Sequence, residues 1–109
     1  QAKYHAMIGD IAKTVVLGEK HYSLEVWKAK LVTDFEIEIV KMGEPLEKKG
    51  QWTMSLQNTF PIYIRASTKD FKKHEAANFI EYLYATGIEY EATFSEKSLS
   101  IYEEYKEAA

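Results

Sequence analysis

The chain has 109 residues, 46% of them hydrophobic and 28% charged, with a formal charge of −3, the composition of one soluble domain with a modest core. The absence of cysteine excludes disulfides, zinc-ribbon sites and thiol catalysis, and no apolar run approaches the ~18 residues that a membrane span needs. An acidic balance weighs against a dedicated nucleic-acid domain, yet the charge is segregated: Arg65, Lys69, Lys72 and Lys73 meet only Asp70, whereas Glu89, Glu91, Glu96, Glu103, Glu104 and Glu107 outnumber Lys97 and Lys106 toward the end.

Residues 3–16 predict an amphipathic helix, because Tyr4, Met7, Ile8, Ile11 and Val15 share one face, and Gly18 is its expected stop. Ser23 reads as the N-cap of a second helix over 24–36, with Glu25 in the first turn and Trp27, Leu31 and Phe35 inside. From Phe35 onward, alternation with Glu36 and Glu38 predicts a handover to strand near residue 36. Asp34, Glu36 and Glu38 would then line one strand face. A two-metal nuclease needs such clustered acids, but no supporting Lys or His arrangement accompanies them, and a solvated face is the better reading.

MGEPLEKKGQ is a loop by its Gly, Pro and charge content. QWTMSL and PIYIRAS read as two short strands around the breakers Asn58 and Pro61. A third helix is expected over 70–86, capped by Ser67 or Thr68, burying Ala76, Phe79, Ile80 and Leu83, and ending at Gly87 as its C′ residue. Ser95 then caps a last helix carrying Leu99, Tyr102 and Tyr105. The expected fold class is α+β: a single domain of about four helices with a small antiparallel sheet.

No catalytic constellation emerges. His74-Glu75 lacks the second histidine of a zinc HExxH motif, which Asn78 replaces, while His5 and His21 offer no ligand spacing; neither metal nor cofactor is expected. Ser67 and Thr68 have no His-Asp partners, so capping is their expected role. Among the 15 aromatic residues, Trp27 and Phe79 lie on apolar stripes and read as core, whereas Trp52, Tyr63, Tyr82 and Tyr84 are uncommitted. Aromatics exposed near the basic tract would be suited to stacking on unpaired bases. Cations opening a helix oppose its dipole, but with free N–H groups they form a phosphate-binding corner; the bland alternative is a solvated basic surface.

The words KYHAMIGDIAKTV, SLEVWKAKLV, RASTKDFKKHEAANFIEYLYATG and FSEKSLSIYEEYK together resemble the NinB family of Orf-like phage recombination proteins over nearly the whole chain. The resemblance rests on Gly9-Asp10-Ile11, Ser23 with Trp27-Lys28, Ser67-Thr68 and Phe94-Ser95, none of which is a catalytic signature. It implies a non-enzymatic recombination mediator that binds single-stranded DNA as a homodimer in the bacterial host cytoplasm. Such a mediator cooperates with single-strand-binding protein and helps load a recombinase or annealing protein. Family members carry a β-rich segment before the first helix read here, so residues 1–109 are expected to form the C-terminal part of a longer protein. The candidate DNA contacts are Arg65, Lys69, Lys72 and Lys73. The rival expectation is a protein-interaction module that uses the acidic last helix.

Overall fold

The computed structural model describes residues 2–108. Helix α1 (Ala2–Thr14) is followed by α2 (Leu24–Lys41), strands β1 (Gln51–Met54) and β2 (Pro61–Ile64), a 3-10 turn over Thr68–Asp70, α3 (Lys73–Glu89) and α4 (Glu96–Ala108). The described residues form an α+β fold of four helices and a two-stranded antiparallel sheet.

The periodic apolar positions of α1 fill the core as expected. Tyr4, Met7, Ile8 and Ile11 are all buried because residues three and four apart share a helix face, and Val15, just past the helix end, continues the same buried row. They meet Trp27, Leu31 and Phe35 of α2 and Phe79, Ile80 and Leu83 of α3. Phe79 is surrounded by rings, with centroids 5.2 Å from Tyr4, 5.0 Å from Phe35 and 5.4 Å from Phe71. Such edge and tilted contacts add to area burial.

Local chemistry sets most helix ends. The Ser23 hydroxyl accepts the Val26 N–H at 3.2 Å, the expected cap of α2. Gly18, expected to stop the first helix, instead lies four residues beyond its last residue Thr14, in a Gly18-Glu19 turn with φ of 59° and 63° that closes through paired backbone bonds between Leu17 and Lys20. That geometry belongs to a type I′ turn.

Several expectations are corrected. Residues 36–41 stay helical because Phe35 and Ile39 are one turn apart and both buried, while Ile37 faces out. Glu36 is buried and hydrogen-bonded instead of lying on a solvated strand face. The third helix begins at Lys73, since Phe71 has extended backbone (φ −64°, ψ 131°) and turns its ring toward Tyr4, Phe35 and Phe79. Gly87 lies inside α3, buried, where a Cβ would collide with the Phe94 ring. The helix ends through Glu91 at φ 62°, with Ala92 N–H donating to Gly87 and Glu91 N–H to Ile88, a Schellman arrangement.

The entry to α4 is held from a distance in sequence. The Asp10 carboxylate accepts from the Ser95 N–H at 2.9 Å, the Ser95 hydroxyl at 2.8 Å and the Ser98 hydroxyl at 2.5 Å. Ser95 in turn caps the helix through the Ser98 N–H at 3.2 Å. Behind this clamp, Tyr84 of α3 stacks on Tyr102 of α4 at 3.8 Å with the planes 8° apart. Leu99, read with Tyr102 and Tyr105 at helical spacing, is exposed, and Ser98 is fully buried.

β1 and β2 form an arm away from this body. Gln51 pairs with Ile64, Trp52 with Tyr63, Thr53 with Ile62 and Met54 with Pro61. The turn is tied by the Ser55 hydroxyl, which accepts the Thr59 and Phe60 N–H groups, with Asn58 at φ 59°. Neither strand contains a buried residue.

Candidate nucleic-acid interface

Glu36 joins the arm to the body. Its Oε1 accepts the Gly50 N–H at 2.8 Å and the Tyr63 hydroxyl at 2.7 Å, and its Oε2 accepts the Ala66 N–H at 2.9 Å. A buried carboxylate is tolerated when its lone pairs are filled in this way. Burial first, and then the hydrogen bond and charge of Glu36, push the Tyr63 hydroxyl up to about 12.

The predicted basic residues follow the arm directly. Arg65 donates to the Ala66 carbonyl at 2.9 Å, the Ser67 hydroxyl accepts the Lys69 N–H at 3.4 Å, and Lys72 is the N-cap of α3. Lys69, Lys72 and Lys73 are exposed. The start of α3 receives its acid from within: the buried Glu75 carboxylate accepts the Lys72 N–H at 2.7 Å and the Glu47 N–H at 2.8 Å. Burial raises the pKa of this carboxyl, but those two bonds with His74 and Lys72 nearby outweigh it and hold the pKa below the usual range. The Lys72 ammonium lies 2.8 Å from Glu47, whose hydrogen bond and charge hold it above its ordinary value. The helix dipole is thus complemented by Glu75, and Lys72 already has an anionic partner.

The loop between α2 and β1 lies against this segment, because Lys48 also pairs with Asp70 at 3.9 Å. After Lys72–Glu47 and Lys48–Asp70 are paired, Lys41, Lys49, Arg65, Lys69 and Lys73 have no ion pair among the described residues. Glu36 and Glu75 are engaged in hydrogen bonds. Over residues 41–49 and 65–75, seven Lys and Arg stand against four Asp and Glu, a local positive balance on a chain that is acidic as a whole.

Two concavities of similar size flank α2. One, of about 730 Å³, lies between α2 and the end of α3, with Lys30, Lys41, Asp34, Glu38 and Glu89 in its lining. Its charges are mixed. The other, of about 760 Å³, lies between α2 and the arm; Ile37, Val40, Leu46, Trp52 and Tyr63 give it largely apolar walls. Lys41 and Lys49 line it too, and its only carboxylate among the described residues is the saturated Glu36. Sequence reasoning does not assemble this groove. The signal that points toward it is the Lys48-Lys49-Gly50-Gln51-Trp52 run leading into a strand.

Among the described residues, no group of three or more His, Asp or Glu side chains is placed to hold a metal ion. Asp34 and Glu38 share a helix face while Glu36 turns to the arm.

The fold is NinB-like. A solved structure named NinB, from structural genomics, superposes with a TM-score of 0.67 at 21% identity, over 88% of this chain and 63% of its own. The present chain therefore spans somewhat less than two thirds of that protein. No protein-family model and no curated protein matches the chain. The sequence words that carried the resemblance prove to be packing devices: Asp10 clamps Ser95, Trp27 is core, Ser67 caps the 3-10 turn, and Phe94 stacks on Tyr84.

Proposed function

We propose that this protein is a phage-type recombination accessory factor that binds single-stranded DNA without chemistry. In this reading Arg65, Lys69, Lys72 and Lys73 hold backbone phosphates, with Lys72 exchanging Glu47 for a phosphate. The bound protein helps a recombinase or annealing protein onto DNA coated by single-strand-binding protein. It acts as a homodimer in the bacterial host cytoplasm. The observation carrying the proposal is the set of exposed lysines Lys41, Lys49, Lys69 and Lys73, which have no ion pair among the described residues of an acidic chain; the NinB-like fold supports the recombination setting. Among the described residues, no helix is long and apolar enough to cross a membrane.

The test is a titration of labelled oligothymidylate at two salt concentrations. Lys72→Ala with Lys73→Ala should weaken binding to all sequences and make the log–log salt slope shallower by about 0.7 for each phosphate that the variant no longer holds. Unchanged affinity and slope would reject these contacts and favour a protein partner for the exposed acids Glu103, Glu104 and Glu107 of α4. Incubation of labelled single and double strands with Mg²⁺ or Mn²⁺ should leave both intact, and sedimentation should return a dimer.

A further inference from the structure

We propose that the groove between α2 and the arm receives an unpaired nucleobase stacked on Trp52, with Lys41 and Lys49 taking the flanking phosphates. This second contact rests on the single-strand reading above and extends it beyond the basic segment.

The argument begins with the indole. Trp52 is 70% exposed, although burying such a ring is among the largest gains open to a folding chain. Its accessible surface adjoins a groove with apolar walls. The ring is also pre-positioned. Trp52 pairs across the ladder with Tyr63, the ring centroids are 5.1 Å apart, and the Tyr63 hydroxyl is anchored on Glu36 at 2.7 Å. One side of the indole is thus supported while much of its surface stays open. An aromatic platform held in this way stacks a base with less loss of side-chain freedom on binding.

Charge identifies the occupant. Among the described residues, the groove presents Lys41 and Lys49, both exposed and without ion pairs, and no uncommitted carboxylate. An apolar peptide would gain little from two cations, whereas a nucleotide matches both halves of the site: a flat π-face for the indole and a phosphate for the ammonium groups. The groove is also continuous with the basic segment. The loop carrying Lys49 is tied to it through Lys48–Asp70 and Lys72–Glu47, and β2 leads directly into Arg65. Lys73, Lys69, Lys49 and Lys41, without ion pairs among the described residues, thus supply cations from the start of α3 to the groove.

The experiment compares oligothymidylate with an abasic strand of equal length, read by anisotropy and by quenching of tryptophan emission, with circular dichroism confirming the folds. Trp52→Ala should weaken oligothymidylate binding roughly 5- to 150-fold, abolish the quenching and leave the salt slope unchanged, while Trp52→Phe retains most of the affinity. The abasic strand should bind the unaltered protein weakly and Trp52→Ala no more weakly. Lys41→Ala with Lys49→Ala should instead make the slope shallower. Equal affinity for abasic and base-bearing strands, or unchanged affinity in Trp52→Ala, overturns the base site; the single-strand reading survives if Lys72→Ala/Lys73→Ala still lowers the slope. Oligomer dissociation in Trp52→Ala at unchanged DNA affinity gives the groove to a second copy and also overturns it. No binding by the unaltered protein ends both proposals.

Discussion

Two tryptophans mark the two regions of this molecule: Trp27, 3% exposed in the helical body, and Trp52, 70% exposed on the arm. In the body that buries Trp27, the rings of Tyr4, Phe35, Phe71, Phe79 and Tyr82 pack on one another, so the body is held by many shared contacts. The arm has none of this. Among the described residues its strands pair only with each other, an arrangement that is at best marginal by itself, and Trp52, Leu56 and Phe60 remain outside the core. The three-donor bond set of Glu36 joins the arm to the body, while the loop leading into β1 is held by the Glu47 N–H on Glu75, by two ion pairs and by the buried Leu46. One region is thus stable through redundancy, whereas the other is positioned through a few polar bonds, most of them made by Glu36.

The largest effect should come from removing redundancy at its centre. Phe79 is fully buried among Tyr4, Phe35, Phe71 and Tyr82, and Phe79→Ala should cost about 3–5 kcal/mol, a large part of a small domain's stability. Urea unfolding should show a collapse of the midpoint. Retention of most of the stability would mean that the core repacks and that the body is less tightly defined than its ring geometry implies.

Glu36→Ala should come next, at about 2–3 kcal/mol, because Gly50, Tyr63 and Ala66 lose their acceptor together and part of that loss is repaid by water. Its distribution distinguishes the regions. Hydrogen exchange should speed up at Gly50, Ala66 and the hairpin amides while α1 and α3 stay protected. Uniform loss of protection would show that arm and body unfold as one unit, and the comparison would fail.

pH should separate the regions from opposite sides. In the body, burial raises the Asp10 pKa, but the bonds from Ser98 and Ser95 and the charge of Lys13 outweigh it and depress the folded-state value. A depressed carboxyl contributes stability above its unfolded pKa and loses it as pH falls through the folded one. Asp10→Asn should therefore cost about 1 kcal/mol near neutrality, and its melting temperature should converge with that of the parent on acidification. Tyr63 has the reverse sign. Raised to about 12 in the folded state, its contribution is complete below its ordinary pKa and disappears as pH rises through the folded value, so alkali should release the arm first.

Much of the body was legible because its signals are local. The α1 stripe, the Ser23 cap and the Phe79, Ile80 and Leu83 face each follow from spacing within one helix turn. The errors occur where a distant residue decides. Glu36 alternates like a strand residue, but its partners lie 14, 27 and 30 positions away. Gly87 resembles a helix stop, but Phe94 fills the space where its Cβ would lie. The same holds for the interface. Four cations were visible in the primary order, whereas the Glu47 pairing of Lys72, and the meeting of Lys41, Lys49 and Trp52 at one groove, require the loop to fold back.

The smallest expected effect is the sharpest test of the arm's independence. Leu56 is fully exposed at the hairpin turn and forms no part of the ladder that pairs Gln51–Met54 with Pro61–Ile64. The Ser55 hydroxyl holds the turn through Thr59 and Phe60 without it. If the arm stands free in solution, Leu56→Ser removes an exposed apolar side chain that contributes nothing to the folded state, and thermal melting should move by less than about 0.5 kcal/mol in either direction. A concentration-dependent loss of stability would have a different origin, because a monomer's melting does not depend on protein concentration whereas an assembly's does. Melting Leu56→Ser at two concentrations thus asks whether the arm's apolar residues are open to water or covered by another chain, and a clear concentration dependence in the parent that the variant lacks would place the tip of the arm in an interface.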